Sequence, residues 1–251
     1  MILSEIEGQI GLIKLNRPEK RNSLHPDLVN AFLAKFNEFN LDRNIKAIII
    51  TGEGTSFCAG ADLSYLNQLK NNSVPDNDED SQLLSKFFLS VYESDKPTIA
   101  AVNGPAIAGG CGLATACDFI FADEKNAKFG YSEVKIGFLP AIVSFLLLRR
   151  LSEFKAKQLL ITGDIISAFE AQNIGLVEYI SGENNTLNDA QKFAEKISKN
   201  SLYSISETKK LIRQIYSLRY DDAVKYAVNL NVIARTSDDF HEGLNKFISK
   251  G

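Results

Sequence analysis

Apolar and polar residues alternate over Gly8–Asn16 (GQIGLIKLN), the two-residue period of a half-buried strand. Ile45–Gly52 (IKAIIITG) is instead a nearly unbroken apolar run ending in glycine, which predicts a buried strand. Between the two, Leu28, Phe32, Phe36 and Phe39 recur at helical spacing across Pro26–Phe39. Strand, helix and strand in that order predict a β-α-β unit, and with it a sheet built by right-handed crossovers. Asp62–Leu69 reads as helix. The stretch NNSVPDNDEDS that follows, residues 71–81, is polar, acidic and carries a proline, and is expected to be a solvated loop. Its acidic spacing superficially fits a calcium loop, but Ser81 stands where the turn glycine belongs and Phe87 where the final glutamate belongs. A helix over Gln82–Glu93, a strand at TIAAVNG and another at DFIFADE come next. From Ala141 onward the pattern is nearly all helical. The expected organisation is a core over residues 1–190 and a helical appendage over 191–251.

Composition narrows the partners. Hydrophobic residues make up 45% of the 251 and charged ones 24%, enough to bury a core, and the net charge is −3. That balance offers no basic field for nucleic acid or an anionic membrane. Three cysteines without a CxxC pair point to reduced thiols, and two histidines are too few for a His-rich metal site. The uncharged run between Lys96 and Asp118 is long enough to span a bilayer, but Asn103, Pro105 and several glycines would interrupt such a helix. The N-terminus lacks the features of a secretory signal. A cytoplasmic, soluble protein is expected.

Two glycine-rich turns fail the dinucleotide template: Phe57 stands at the third glycine position of ITGEGTSF, and Thr115 at that of GGCGLAT. No GxSxG elbow is present. FCAGADL (Phe57–Leu63) and AGGCGL (Ala108–Leu113) do form a suggestive pair, each a turn of small residues after a strand and before a helix. A helix start presents unpaired N–H groups at the positive end of its dipole. Two such starts converging would surround one oxyanion with two donors, and any side chain beyond a methyl would block the approach. Taken singly, either segment reads better as a tight packing turn.

Together these segments resemble the crotonase (enoyl-CoA hydratase/isomerase) superfamily. LNRPEKRNSL, FCAGADL, AGGCGLATACDFIFA, FGYSEVKIGFLPA, TGDIISAFEAQNIGLV and DDFHEGLNKFISK are similar to its motifs in family order over nearly the whole chain. The resemblance implies an α/β fold, a spiral of β-β-α units with a C-terminal helical region, assembled as a homotrimer or hexamer. It implies an acyl-CoA thioester as substrate, with coenzyme A part of that substrate and no separate cofactor or metal. It places the oxyanion donors at the N–H groups of Ala61 and Gly109, and the general acid/base at Glu133. It implies substrate contacts at Ala59, whose carbonyl would receive the adenine amino group, at Lys20 and Arg21 beside the CoA diphosphate, at Asp62 and at Gly112. Lys250 is a further phosphate candidate. From charge alone, Lys20 and Arg21 read equally as surface residues, and Glu133 as a solvent-facing carboxylate.

Gly112 is a departure, because typical enoyl-CoA hydratases carry a second glutamate there. The vacated volume is expected to hold water, an anion or a branched substrate. Three reactions stay open: hydration, isomerisation by one shuttling carboxyl, and decarboxylation over the oxyanion hole. The run SEVKIGFLPAIVS, the glycine at 112 and RTSDDFHEGL are most similar to bacterial methylglutaconyl-CoA hydratase-type members. They favour a hydratase of a short, branched or carboxylated 2-enoyl-CoA such as methylglutaconyl-CoA. A non-catalytic acyl-CoA-binding protein is the reading from another class.

Overall fold

The structure, a computed structural model, describes residues 1–249. Lys250 lies outside the described residues. Strands β1 (Ile2–Glu7) and β2 (Ile10–Leu15) form an antiparallel hairpin, and α1 (Pro26–Leu41) crosses over to β3 (Ala47–Gly52), which pairs parallel to β2. The β-α-β unit is thus present, and its helix runs two residues beyond Phe39. Next come α2 (Leu63–Leu69), α3 (Val74–Tyr92), β4 (Thr98–Val102), β5 (Pro105–Ile107), α4 (Gly109–Ala116), β6 (Phe119–Asp123) and β7 (Lys128–Gly130). A 3-10 turn (Glu133–Ile136) leads to α5 (Ala141–Leu148), α6 (Glu153–Thr162), β8 (Ile166–Ser167), α7 (Ala168–Ile174), β9 (Tyr179–Ser181) and α8 (Thr186–Ile197). Helices α9 (Leu202–Ile215), α10 (Tyr220–Ala234) and α11 (Asp238–Ile248) complete the described chain.

One sheet has the order β1-β2-β3-β4-β6-β9 and is parallel from β2 onward; a smaller sheet has the order β5-β7-β8. The unbroken apolar run in β3 has a direct physical cause, because both faces of this strand are covered. Ile48 and Ile50 enter a core that also contains Phe32, Phe36 and Phe87, while Ala47 and Ile49 enter a second layer against Ala190 and Ala194 of α8. Parallel strands covered on both sides require such continuous hydrophobicity. Helix α8 straddles the expected boundary at residue 190 and packs on the sheet. Within α9, α10 and α11, by contrast, Ser206 is the one buried residue, and Tyr220, Val224, Val228 and Val232 of α10 stand exposed.

The acidic stretch 71–81 corrects the sequence reading. It is not a loop: Val74 onward is the first turns of α3, eight residues earlier than the periodicity suggested. Ser73 caps the helix by accepting the Asp76 N–H at 3.3 Å, and the Asp76 carboxylate accepts the Ser73 N–H at 2.9 Å. This reciprocal pair, with proline in the first turn and acids near the positive helix end, outweighs the lack of an apolar face. The all-helical reading after Ala141 also missed β8 and β9, which are only two and three residues long. Among the described residues, no helix is long and apolar enough to cross a membrane.

Candidate active site

The segment Cys58–Asp62 is held on both sides by backbone pairing. Cys58 donates to Pro105 O at 3.1 Å and accepts from Ile107 N–H at 2.9 Å, tying the turn to β5. On its other side Ala59 N–H donates to Arg21 O at 3.0 Å. Leu24 N–H donates to Gly60 O at 2.7 Å and Leu24 O accepts from Asp62 N–H at 2.9 Å. Leu24 therefore uses the residues flanking Ala61, and the alternation of an extended chain turns Ala61's own N–H to the opposite side. That side faces the start of α4. The two segments touch there: a Cβ placed on Gly60 would stand 2.9 Å from Ile107 O and 3.7 Å from Gly109 N.

Helix α4 begins with a strained residue. Ala108 has φ +51° and ψ −121°, a conformation that L residues rarely adopt, and such strain costs on the order of 1–3 kcal/mol. Its N–H is fixed to Gly130 O at 2.7 Å. The next amide, Gly109, opens the helix and has no preceding carbonyl to bond. Neither Ala61 N–H nor Gly109 N–H has an acceptor among the described residues, and both residues line one cavity of about 350 Å³.

Glu133 lines the same cavity. It follows β7 by way of Tyr131, which is fully buried and whose hydroxyl lies 2.8 Å from Thr115 Oγ1 on α4. That contact fixes the strand exit to the helix carrying Gly109. Glu133 Oε2 is buried without a hydrogen-bond partner among the described residues. Burial raises its carboxyl above the usual glutamate range, with its own main-chain N–H the opposing influence. Apart from Glu133 and Ser132, the lining near the amides is apolar, with Leu24, Phe88 and Val143 among it.

Ala59, Ala61, Gly109 and Glu133 thus come together. Lys20 and Arg21 stand exposed outside the cavity, on the turn whose Arg21 carbonyl holds Ala59. Two expectations are corrected. Asp62 does not face the cavity: one carboxylate oxygen accepts from Ser64 and Tyr65 N–H groups to cap α2, and the other accepts from Arg17 at 2.9 Å. Although burial would raise it, the Arg17 bond and those two amides hold this carboxyl below the usual aspartate range. Gly112 leaves no room for water or a branched substrate. A Cβ there would lie 2.2 Å from Val143 Cγ1 and 3.4 Å from Phe88 Cε1, so α5 and α3 already fill that space.

Residues the sequence reading passed over build the support. Arg17 links Asp62 to Ser23 O at 2.9 Å, and the buried Asn22 amide donates to Glu53 O and Ser56 O at 2.9 and 2.7 Å. Both lie in LNRPEKRNSL, a segment that carries the family resemblance but of which only Lys20 and Arg21 were expected to have a role. The cysteines are buried and free, and burial pushes the Cys58 and Cys111 thiols up to about 12, far from a nucleophile's range. Among the described residues, no group of three or more His, Cys, Asp or Glu side chains is placed to hold a metal ion.

A mixed α/β fold thus carries an apolar cavity with two open amides and a carboxyl with one unpartnered oxygen. The model of the Enoyl-CoA hydratase/isomerase family matches residues 5–251. The chain is 34% identical to the crotonyl-CoA hydratase of Syntrophomonas wolfei, covering 99% of this chain and 95% of that protein. It is 32% identical to the 2,3-dehydroadipyl-CoA hydratase of Escherichia coli, covering 97% and 94%. The crystal structure of an enoyl-CoA hydratase from Polaromonas sp. superimposes with a TM-score of 0.94 at 30% identity, covering 99% of this chain and 97% of that one. The chain belongs to the enoyl-CoA hydratase/isomerase family and has the crotonase fold.

Proposed function

We propose that the protein is an enoyl-CoA hydratase that adds water across the double bond of a 2-enoyl-CoA. The observation that carries this reading is the half-buried carboxyl of Glu133, its Oε2 buried without a partner, in the cavity that the residues bearing the unbonded amides of Ala61 and Gly109 also line. The thioester oxygen would accept from both amides, drawing electron density from the double bond and making the β-carbon electrophilic. Each such donor typically contributes about 3 kcal/mol when charge develops on the oxygen. Glu133 as carboxylate takes a proton from water while the water oxygen bonds to the β-carbon, giving an enolate held by the amides. The same carboxyl then returns its proton to the α-carbon, and the thioester carbonyl re-forms. Water is added across one face, and Glu133 ends as it began. One carboxyl suffices for this cycle, which accommodates the absence of a second at position 112. Exposed Lys20 and Arg21 beside Ala59 would meet the CoA diphosphate, and the Ala59 carbonyl its adenine amino group.

A second reading, isomerisation, is favoured by the lack of a second carboxyl at position 112, because Val143 closes that place. Glu133 would then carry a proton between two carbons of an enolate without any water adding. Incubation with 2-enoyl-CoA and 3-enoyl-CoA esters, read by product mass, separates these. Gain of one water is expected from the 2-enoyl ester. Rearrangement of the 3-enoyl ester with no mass gain from either would replace hydration by isomerisation, and loss of carbon dioxide from a carboxylated ester would replace both by decarboxylation.

The exposed row Tyr220, Val224, Val228 and Val232 supports assembly through the C-terminal helices, as a homotrimer or hexamer. Sedimentation equilibrium is expected to give three or six times the chain mass of 27.7 kDa, and monomers at micromolar concentration would contradict this.

A further inference from the structure

The cavity is also walled by Leu66, Leu69, Leu84, Ile136, Phe138 and Ile142, on α2, α3, α5 and the turn after Glu133. No Lys, Arg or His is among its lining residues. The acid in this wall is Asp80 of α3, which accepts the Tyr65 hydroxyl at 2.6 Å and so joins α3 to α2. His25 stacks edge-on against Tyr65 at 5.3 Å and its Nδ1 accepts the Asp27 N–H at 3.3 Å; it lines a smaller cleft that shares Asp80 with this cavity, not the cavity itself. A chain ending in a carboxylate would therefore leave water for an apolar wall, find no cation, and meet the negative charge of Asp80. An uncharged chain loses nothing on entry and gains from every methylene buried.

We infer that this site selects uncharged, apolar acyl chains and rejects ω-carboxylated ones, with Asp80 as the discriminating residue. The methylglutaconyl class is then disfavoured, as is the carboxylated substrate in the name of the Escherichia coli relative. This inference rests on reading the cavity as the acyl-CoA site.

The test has a binding arm and a turnover arm. In calorimetric titration of the intact protein with saturated esters, hexanoyl-CoA and octanoyl-CoA are expected to bind more tightly than butyryl-CoA, by about four-fold per added methylene. Adipoyl-CoA is expected to bind at least ten-fold more weakly than hexanoyl-CoA. Asp80→Asn should narrow that hexanoyl-to-adipoyl ratio several-fold, and the corresponding 2-enoyl esters should show the same order in kcat/KM. Adipoyl-CoA binding as well as hexanoyl-CoA, or a ratio unmoved by Asp80→Asn, would overturn the inference. Selective binding without any turnover would leave the inference standing and sink the hydratase reading, whereas no binding of any ester would sink both.

Discussion

Glu133→Gln is expected to reduce turnover by a factor of about 10² to 10⁴ while leaving the affinity for a saturated acyl-CoA within a few-fold of the parent. Glutamine keeps the volume and one carbonyl oxygen in the cavity, but it neither takes a proton from water nor returns one to the α-carbon. The same substitution carries a stability signature of fixed sign. Burial raises the folded-state pKa of Glu133 above its ordinary value of 4.5, so folding penalises the charged form. That penalty is absent below the unfolded pKa, where both states are protonated, and is complete above the folded one. The glutamine variant should therefore be more stable than the parent at pH 8, with the difference vanishing as the pH falls towards 4.5. In the parent, the acid limb of kcat/KM should lie above the normal glutamate range, because the carboxylate form starts the reaction. Unchanged turnover, or a stability gap that widens on acidification, would contradict the role assigned to Glu133.

The second large effect is expected from one methyl group at Gly110. Its Cβ would lie 2.0 Å from Cys58 O and 2.7 Å from Cys58 C, main-chain atoms locked to β5 by two hydrogen bonds. No side-chain rotation relieves that clash, so Gly110→Ala must push α4 away from the Cys58–Asp62 segment. Overpacking against fixed backbone should cost about 3 kcal/mol or more. Whatever protein folds should lose activity, because the shift separates the Gly109 amide from that of Ala61. Gly182→Ala, where an added Cβ meets nothing within 4 Å, is the matched control and should leave the urea midpoint nearly unchanged. Equal midpoints for the two variants would show that the close contact at Gly110 is not a constraint.

Much of this molecule is visible in its sequence where a local period meets one environment. The phenylalanines of α1 and the apolar run of β3 report burial directly, because each side chain answers to the core beside it. The paired small-residue turns were legible for a related reason, since bare backbone in two places signals close approach. What was lost depends on partners remote in sequence. The space at Gly112 is filled by Val143, thirty-one positions later, and no local pattern distinguishes a glycine beside a cavity from one beneath a valine. Asp62 carries the charge of a ligand contact, yet it is committed to Arg17 and the cap of α2. The start of α3 was hidden because its stability comes from a capping box rather than an apolar face, and acidic composition imitates a loop.

The two amides and the carboxyl share one requirement with every reaction considered: an enolate must form at the α-carbon. Exchange of the α-protons of a saturated acyl-CoA with deuterated solvent, followed by proton NMR, measures that step without a double bond, water addition or leaving group. The parent protein should exchange one of the two α-protons selectively, and Glu133→Gln should abolish the exchange while still binding the ester. An ester that binds to the parent yet keeps both α-protons would contradict enolate formation at this site.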